Sequence, residues 1–108
     1  MRSRAVFLNV RAKARVAAGA ALLDELTPGW WRKVRSKTLD IASTQYCVTG
    51  QLFGSYARGL EALHLDNEQA PEYGFERGDD GYNYPLLNTA WRDQIQLRRS
   101  GHKMGRQR

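Results

Sequence analysis

At 108 residues the chain has the length of one domain and can bury a core of its own, and its 42% hydrophobic content argues against wholesale disorder. A single cysteine, Cys47, excludes an intramolecular disulfide and a multi-cysteine zinc site, so a reducing cytosol is the natural compartment. The net charge of +6 is divided into blocks: nine Lys/Arg against two acids over 1–37, two Arg against eight acids over 38–90, and six Lys/Arg against one acid over 91–108. Basic ends around an acidic middle either engage a polyanion or neutralise that middle.

The N-terminal stretch MRSRAVFLNVRAKARVAAGAALL is basic and alanine-rich, as targeting segments are. Its apolar run is short, DEL follows at once, and no A-x-A site precedes a polar start, so a helix is the better reading. No run approaches the ~18–20 apolar residues of a membrane span. Residues 8–26 predict the first helix, with Val16, Ala20 and Leu23 on its inner stripe and Leu22 and Leu26 widening it. Arg11 and Arg15 stand one turn apart and share a face. The alternation in RAVFLNV leaves a strand there as the minority reading. Thr27-Pro28-Gly29 ends the helix, because proline disfavours helical geometry in the residue before it.

In PGWWRKVRSK, Thr27 is a candidate cap and Pro28 a candidate first residue of a short second helix. Trp30 and Val34 then share a face, and Trp31 is rotated by about 100° from Trp30. The stretch predicts an inward anchor, Trp30, and an outward basic face of Arg32, Lys33, Arg35 and Lys37, with Trp31 half-buried. A third helix is expected over 45–63, capped by Ser43 or Thr44, with Val48, Leu52, Tyr56, Leu60 and Leu63 as its stripe. Gly50, Gly54 and Gly59 interrupt it. They signal close backbone packing or, as the alternative, a helix–break–helix at Gly54. LDNEQAPEYGFE predicts a helical turn with Asn67 as cap and Gly74 as stop, RGDDGYN a loop. The last helix is expected from Pro85 to about Arg99, with Leu87, Trp91 and Ile95 at i, i+4 and i+8. Residues 100–108 read as a mobile basic tail. The fold class is therefore all-α: a single domain, 1–99, of four or five helices, followed by a basic tail.

The segments GAALLDELTPGWWRKV, LDI, CVTGQLFGSY, GLEAL, EYGF and LNTAWRDQI occur in that order over residues 19–95. Together they resemble a family of small uncharacterised proteins encoded by actinobacteria and their bacteriophages. The resemblance implies a phage-type accessory role and no particular activity. Relatives often carry a second cysteine where this chain has Thr44, and are more acidic around Arg35 and Lys37. A shared thiol pair is thus missing here, and the basic run is this member's own.

No catalytic set is legible. His64 closes the third helix, where a cation suits the helix dipole, and His102 falls in the tail. Cys47 lies between apolar neighbours and reads as a packing residue. Glu72, Glu76, Asp79, Asp80 and Asn83 are hard oxygen donors but lack the alternating order of a calcium loop. GQLFGSYARG lacks the Lys-Ser/Thr of a phosphate loop, and no helix-turn-helix spacing is clear. The expectation is a non-enzymatic binding protein without metal or cofactor. Its partner is a host or phage protein, met through Phe53, Tyr56 and the acidic middle. The alternative is nucleic acid or ribonucleoprotein, met through phosphate-directed contacts of Arg11, Arg15, Trp31, Arg32, Lys33, Arg35, Lys37, Arg98, Arg99, Lys103 and Arg106.

Overall fold

Helix α1 (Arg4–Leu26) and helix α4 (Tyr84–Arg106) are the two long elements, and they pack against each other. The computed structural model describes residues 4–78 and 83–106, with side chains over 6–78 and 83–101. Between the long helices lie a 3₁₀ turn (Trp30–Arg32), helix α2 (Val48–Phe53), helix α3 (Tyr56–Ala62) and a second 3₁₀ turn (Ala70–Tyr73). No strand occurs among the described residues, and the expected all-α architecture is the observed one.

Helix α1 begins at Arg4, so the alternating RAVFLNV segment is helical. Ala12, Val16, Ala20 and Leu23 are fully buried along its inner stripe. Gly19 lies on the same side, where a Cβ would collide with the Tyr73 carbonyl and come within 3.1 Å of the Trp91 ring. Gly19 meets Trp91 and Asp24 meets Arg98, so α1 and α4 run in the same direction. Trp91 sits at the centre. Its ring stacks on Phe75 at 5.3 Å, receives Trp30 edge-on at 5.7 Å, and its Nε1–H donates to the Gly74 carbonyl at 2.7 Å. Both tryptophans expected in the core, Trp30 and Trp91, are fully buried.

Several expected boundaries and caps moved. The WWR segment forms a 3₁₀ turn rather than an α-helix capped by Thr27. Gly29 enters it in the left-handed region at φ 80°, and the Trp31 and Val34 carbonyls are taken by Arg99 of α4. The expected helix over 45–63 is two helices, as the Gly54 alternative proposed. Gly54 ends α2 at φ 99°, and Ser55 caps α3 by accepting from Arg58 N–H at 3.1 Å. The cap of α2 is Cys47, whose sulfur accepts from Gly50 N–H at 3.2 Å. Ser43 instead holds the preceding turn through Gln45 and Tyr46 N–H. In the second 3₁₀ turn Asp66 and Gln69 exchange side chain-to-backbone hydrogen bonds in the role expected of Asn67, and Gly74 is the stop. Helix α4 passes Arg99 and continues to Arg106. The side chains of Lys103 and Arg106 lie outside the described residues, as do Asp79 and Asp80.

Helices α2 and α3 cross at Gly59, where a Cβ would overlap that of Thr49. Replacing Gly59 with Ala should destabilise the protein by about 1–3 kcal/mol through overpacking, read as a lower denaturant midpoint. His64 ends α3 in the left-handed region at φ 60°, with Leu65 N–H reaching back to the Leu60 carbonyl. His64→Gly should raise stability by about 1 kcal/mol in the same measurement, since glycine adopts that geometry without a Cβ penalty.

Candidate functional site

The basic segment after the first 3₁₀ turn is an extended loop whose backbone is fixed from two sides. Asn88, Arg92 and Arg99 fall on one face of α4, four and then seven residues apart. Asn88 Oδ1 accepts from Ile41 N–H at 2.7 Å. Arg92 donates to the Ser36 and Leu39 carbonyls at 3.1 and 2.9 Å. Arg99 donates to the Trp31 and Val34 carbonyls at 3.1 and 2.9 Å. The loop over residues 31–41 is thus laid along α4 in the opposite direction, stapled at three levels. From the other side Gln51 of α2 accepts from Arg35 N–H at 2.7 Å and donates to the Arg35 and Tyr46 carbonyls. Val34, Leu39 and Ile41 are buried beneath.

Such fixing has an electrostatic consequence. Carbonyl oxygens that would present negative partial charge are turned inward onto guanidinium groups. Arg32, Lys33, Arg35 and Lys37 are exposed above them. Six cations, counting Arg92 and Arg99, therefore cluster around one ordered loop. Trp31 is half-buried, and the Arg32 guanidinium lies over its ring at 4.8 Å. Arg32 already occupies one face of that half-buried ring, so the geometry favours charge contact over stacking.

Arg98 belongs to a different arrangement. It forms a two-pronged ion pair with Asp24, at 2.7 Å for the closest contact, and lies over the Trp30 ring at 5.6 Å. Asp24 also accepts from Trp30 Nε1–H at 2.9 Å. This pairing joins the C-terminal ends of the helix contact to the aromatic core. The Arg98 hydrogen bonds are the main cause holding the Asp24 carboxyl below its usual 3.8; partial burial opposes them, and Trp30 adds to the lowering.

The residues expected to form one surface fall into three places. Trp31, Arg32, Lys33, Arg35 and Lys37 come together on the loop, and Arg99 supports it from beneath. Arg98 is paired with Asp24. Arg11 and Arg15 lie toward the other end of α1. Arg15 lines an open cavity of about 890 Å³ with Glu68, Glu72, Glu76, Arg77 and Tyr84, so this part of the basic N-terminal block meets the acidic middle. In that cavity the Tyr84 hydroxyl donates to Glu76 at 2.5 Å. That bond first, then burial, raises the phenol above its usual value. Arg92, Gln51 and Asn88 were absent from the expected set. The seven-residue spacing of Arg92 and Arg99 was the available signal for a shared helix face.

Cys47 is buried as a cap and His64 is exposed at the end of α3. Among the described residues no three His, Cys, Asp or Glu side chains converge as a metal site, and no helix is long and apolar enough to cross a membrane. Comparison with family models, curated proteins and solved structures yields no match.

A carboxylate whose folded-state pKa is depressed contributes stability above its unfolded pKa and loses it as pH falls through the folded value. Wild-type thermal stability should therefore drop as pH is lowered from about 4. Asp24→Asn should lower the melting temperature at pH 7 and flatten that acid limb, as followed by circular dichroism between about pH 2 and 7.

Proposed function

We propose that the protein is a non-catalytic binding protein whose stapled loop, residues 31–41, engages a phosphate polyanion such as single-stranded nucleic acid in the cytoplasm. The single observation that carries this reading is the fixing of the loop by Arg92, Arg99 and Gln51, which leaves Arg32, Lys33, Arg35 and Lys37 pointing outward. An ordered cationic surface loses less conformational entropy on binding than a disordered one. Phosphates supply the complementary charge without demanding base readout. The motif resemblance supports placing the chain among phage-type accessory proteins. Contact with a host or phage protein through Phe53 and Tyr56 has less support. Both side chains are packed against the core, and burial first among several causes pushes the Tyr56 hydroxyl up to about 12.

Binding to a fluorescent single-stranded oligonucleotide should weaken with salt at a log–log slope near −3, as roughly four neutralised phosphates require. Arg35→Ala and Lys37→Ala should each reduce that slope by about 0.7. Arg58→Ala, at an exposed position of α3, should leave it unchanged. A salt-independent affinity, or equal effects of all three substitutions, would overturn the reading.

A further inference from the structure

The stapled loop has an aromatic neighbour. Among the described residues two aromatic side chains are exposed, Phe7 and Tyr46. The Arg11 guanidinium lies over the Phe7 ring at 5.6 Å, whereas no cation lies over the Tyr46 ring among the described residues. Tyr46 is 47% exposed although Cys47, next to it, is buried. Its backbone is held from three directions. The Tyr46 N–H donates to Ser43 Oγ at 2.9 Å, and its carbonyl accepts from Asp40 N–H at 3.2 Å and from Gln51 Nε2 at 2.9 Å. The same Gln51 nitrogen donates to the Arg35 carbonyl at 3.3 Å, and Gln51 Oε1 accepts from Arg35 N–H at 2.7 Å. One side chain thus sets Tyr46 beside Arg35, within the cationic loop.

Resting on the polyanion reading of this loop, we infer that Tyr46 stacks on a base and that the partner is a single nucleic-acid strand with unpaired bases. Three features select it. First, a stacking platform needs an aromatic ring that is exposed on an anchored backbone, and Tyr46 is both exposed and anchored. Second, a nucleotide carries its phosphate and its base on one sugar, so a phosphate held by Arg35 brings a base alongside the neighbouring residue. Third, Asp40 is the only acid over residues 27–60, and one of its carboxylate oxygens is taken by Ala42 N–H at 3.0 Å. A strand laid along this surface therefore meets cations and one open aromatic side chain with little opposing charge.

Other phosphate polyanions fit less well. The bases of a duplex are already stacked on one another, and inorganic polyphosphate has none, so neither uses the ring. Trp31 does not fill this role, being half-buried with Arg32 over its ring at 4.8 Å. Stacking accepts any base, because every base has a π-face. Tyr46 thus adds affinity for unpaired bases without selecting a sequence.

The test compares binding of the full chain to a fluorescent oligothymidylate and to an abasic strand of the same length and charge, followed by anisotropy across a salt series. Wild type should hold the base-bearing strand at least about fivefold more tightly than the abasic one. Tyr46→Ala should remove that preference, weakening oligothymidylate binding by about five- to a hundredfold. It should leave the abasic affinity and both salt slopes unchanged, since no phosphate contact is lost. Tyr46→Phe should keep the preference, because the ring and not the hydroxyl stacks. Equal binding of the two strands by wild type overturns the inference, and that comparison needs no variant to fold. So does a preference that survives Tyr46→Ala, a Tyr46→Ala loss shared equally by both strands, or a Tyr46→Phe as weak as Tyr46→Ala. If both strands bind alike and salt-sensitively, the loop reading stands and the stacking role falls. If neither strand binds in a salt-dependent way, both fall.

Discussion

The buried Trp91 ring is the contact on which the rest of the fold depends. It fills the space left by Gly19 on α1, stacks on Phe75, receives the edge of Trp30, and ties its N–H to the Gly74 carbonyl. Those four partners come from three separate segments, Gly74 and Phe75 being consecutive residues. One side chain of this size supplies much apolar area, and the hydrogen bond of its N–H offsets the desolvation of that group. Positions of α1, both 3₁₀ turns and α4 follow from it.

Helix α4 serves two purposes on two faces. Leu87, Trp91 and Ile95 form the core face. Asn88, Arg92 and Arg99 form a polar ladder that holds an eleven-residue loop without any secondary structure of its own beyond its first turn. Backbone groups in such a loop need partners, and guanidinium donors reaching two carbonyls each are efficient ones. The cost is that Arg92 and Arg99 are committed within the molecule. The gain is a positive potential beneath a loop whose own side chains are also positive. Toward the other end of α1, Arg15 shares a cavity with three glutamates of the acidic middle.

Helix α1 presents the complementary puzzle. Its inner stripe is fully accounted for by the core, yet its outer stripe is apolar too. Alanine makes such a face tolerable in water because it exposes little area per residue. It also makes the face suitable for close helix contact.

Much of the fold was legible in the chain. Periodic Val16, Ala20 and Leu23, and Leu87, Trp91 and Ile95, determined two amphipathic helices. The residue chemistry at Pro28, Gly54 and Gly74 determined where helices stop, because proline and left-handed geometry act within a few residues. The outward basic loop was also visible, as four cations without an acid. What only the tertiary structure decided was which arginines remain available. Arg98 and Arg35 are indistinguishable in composition, but one meets Asp24, 74 residues away, and the other meets solvent. The same holds for Cys47, which caps α2 in place of Ser43 or Thr44, and for the carbonyls of the Trp30 turn and the loop after it, which Arg99 takes from 65 residues away or more. Local propensity is written in neighbouring residues, whereas the partner of a charged side chain is set by which distant segments the core brings alongside it.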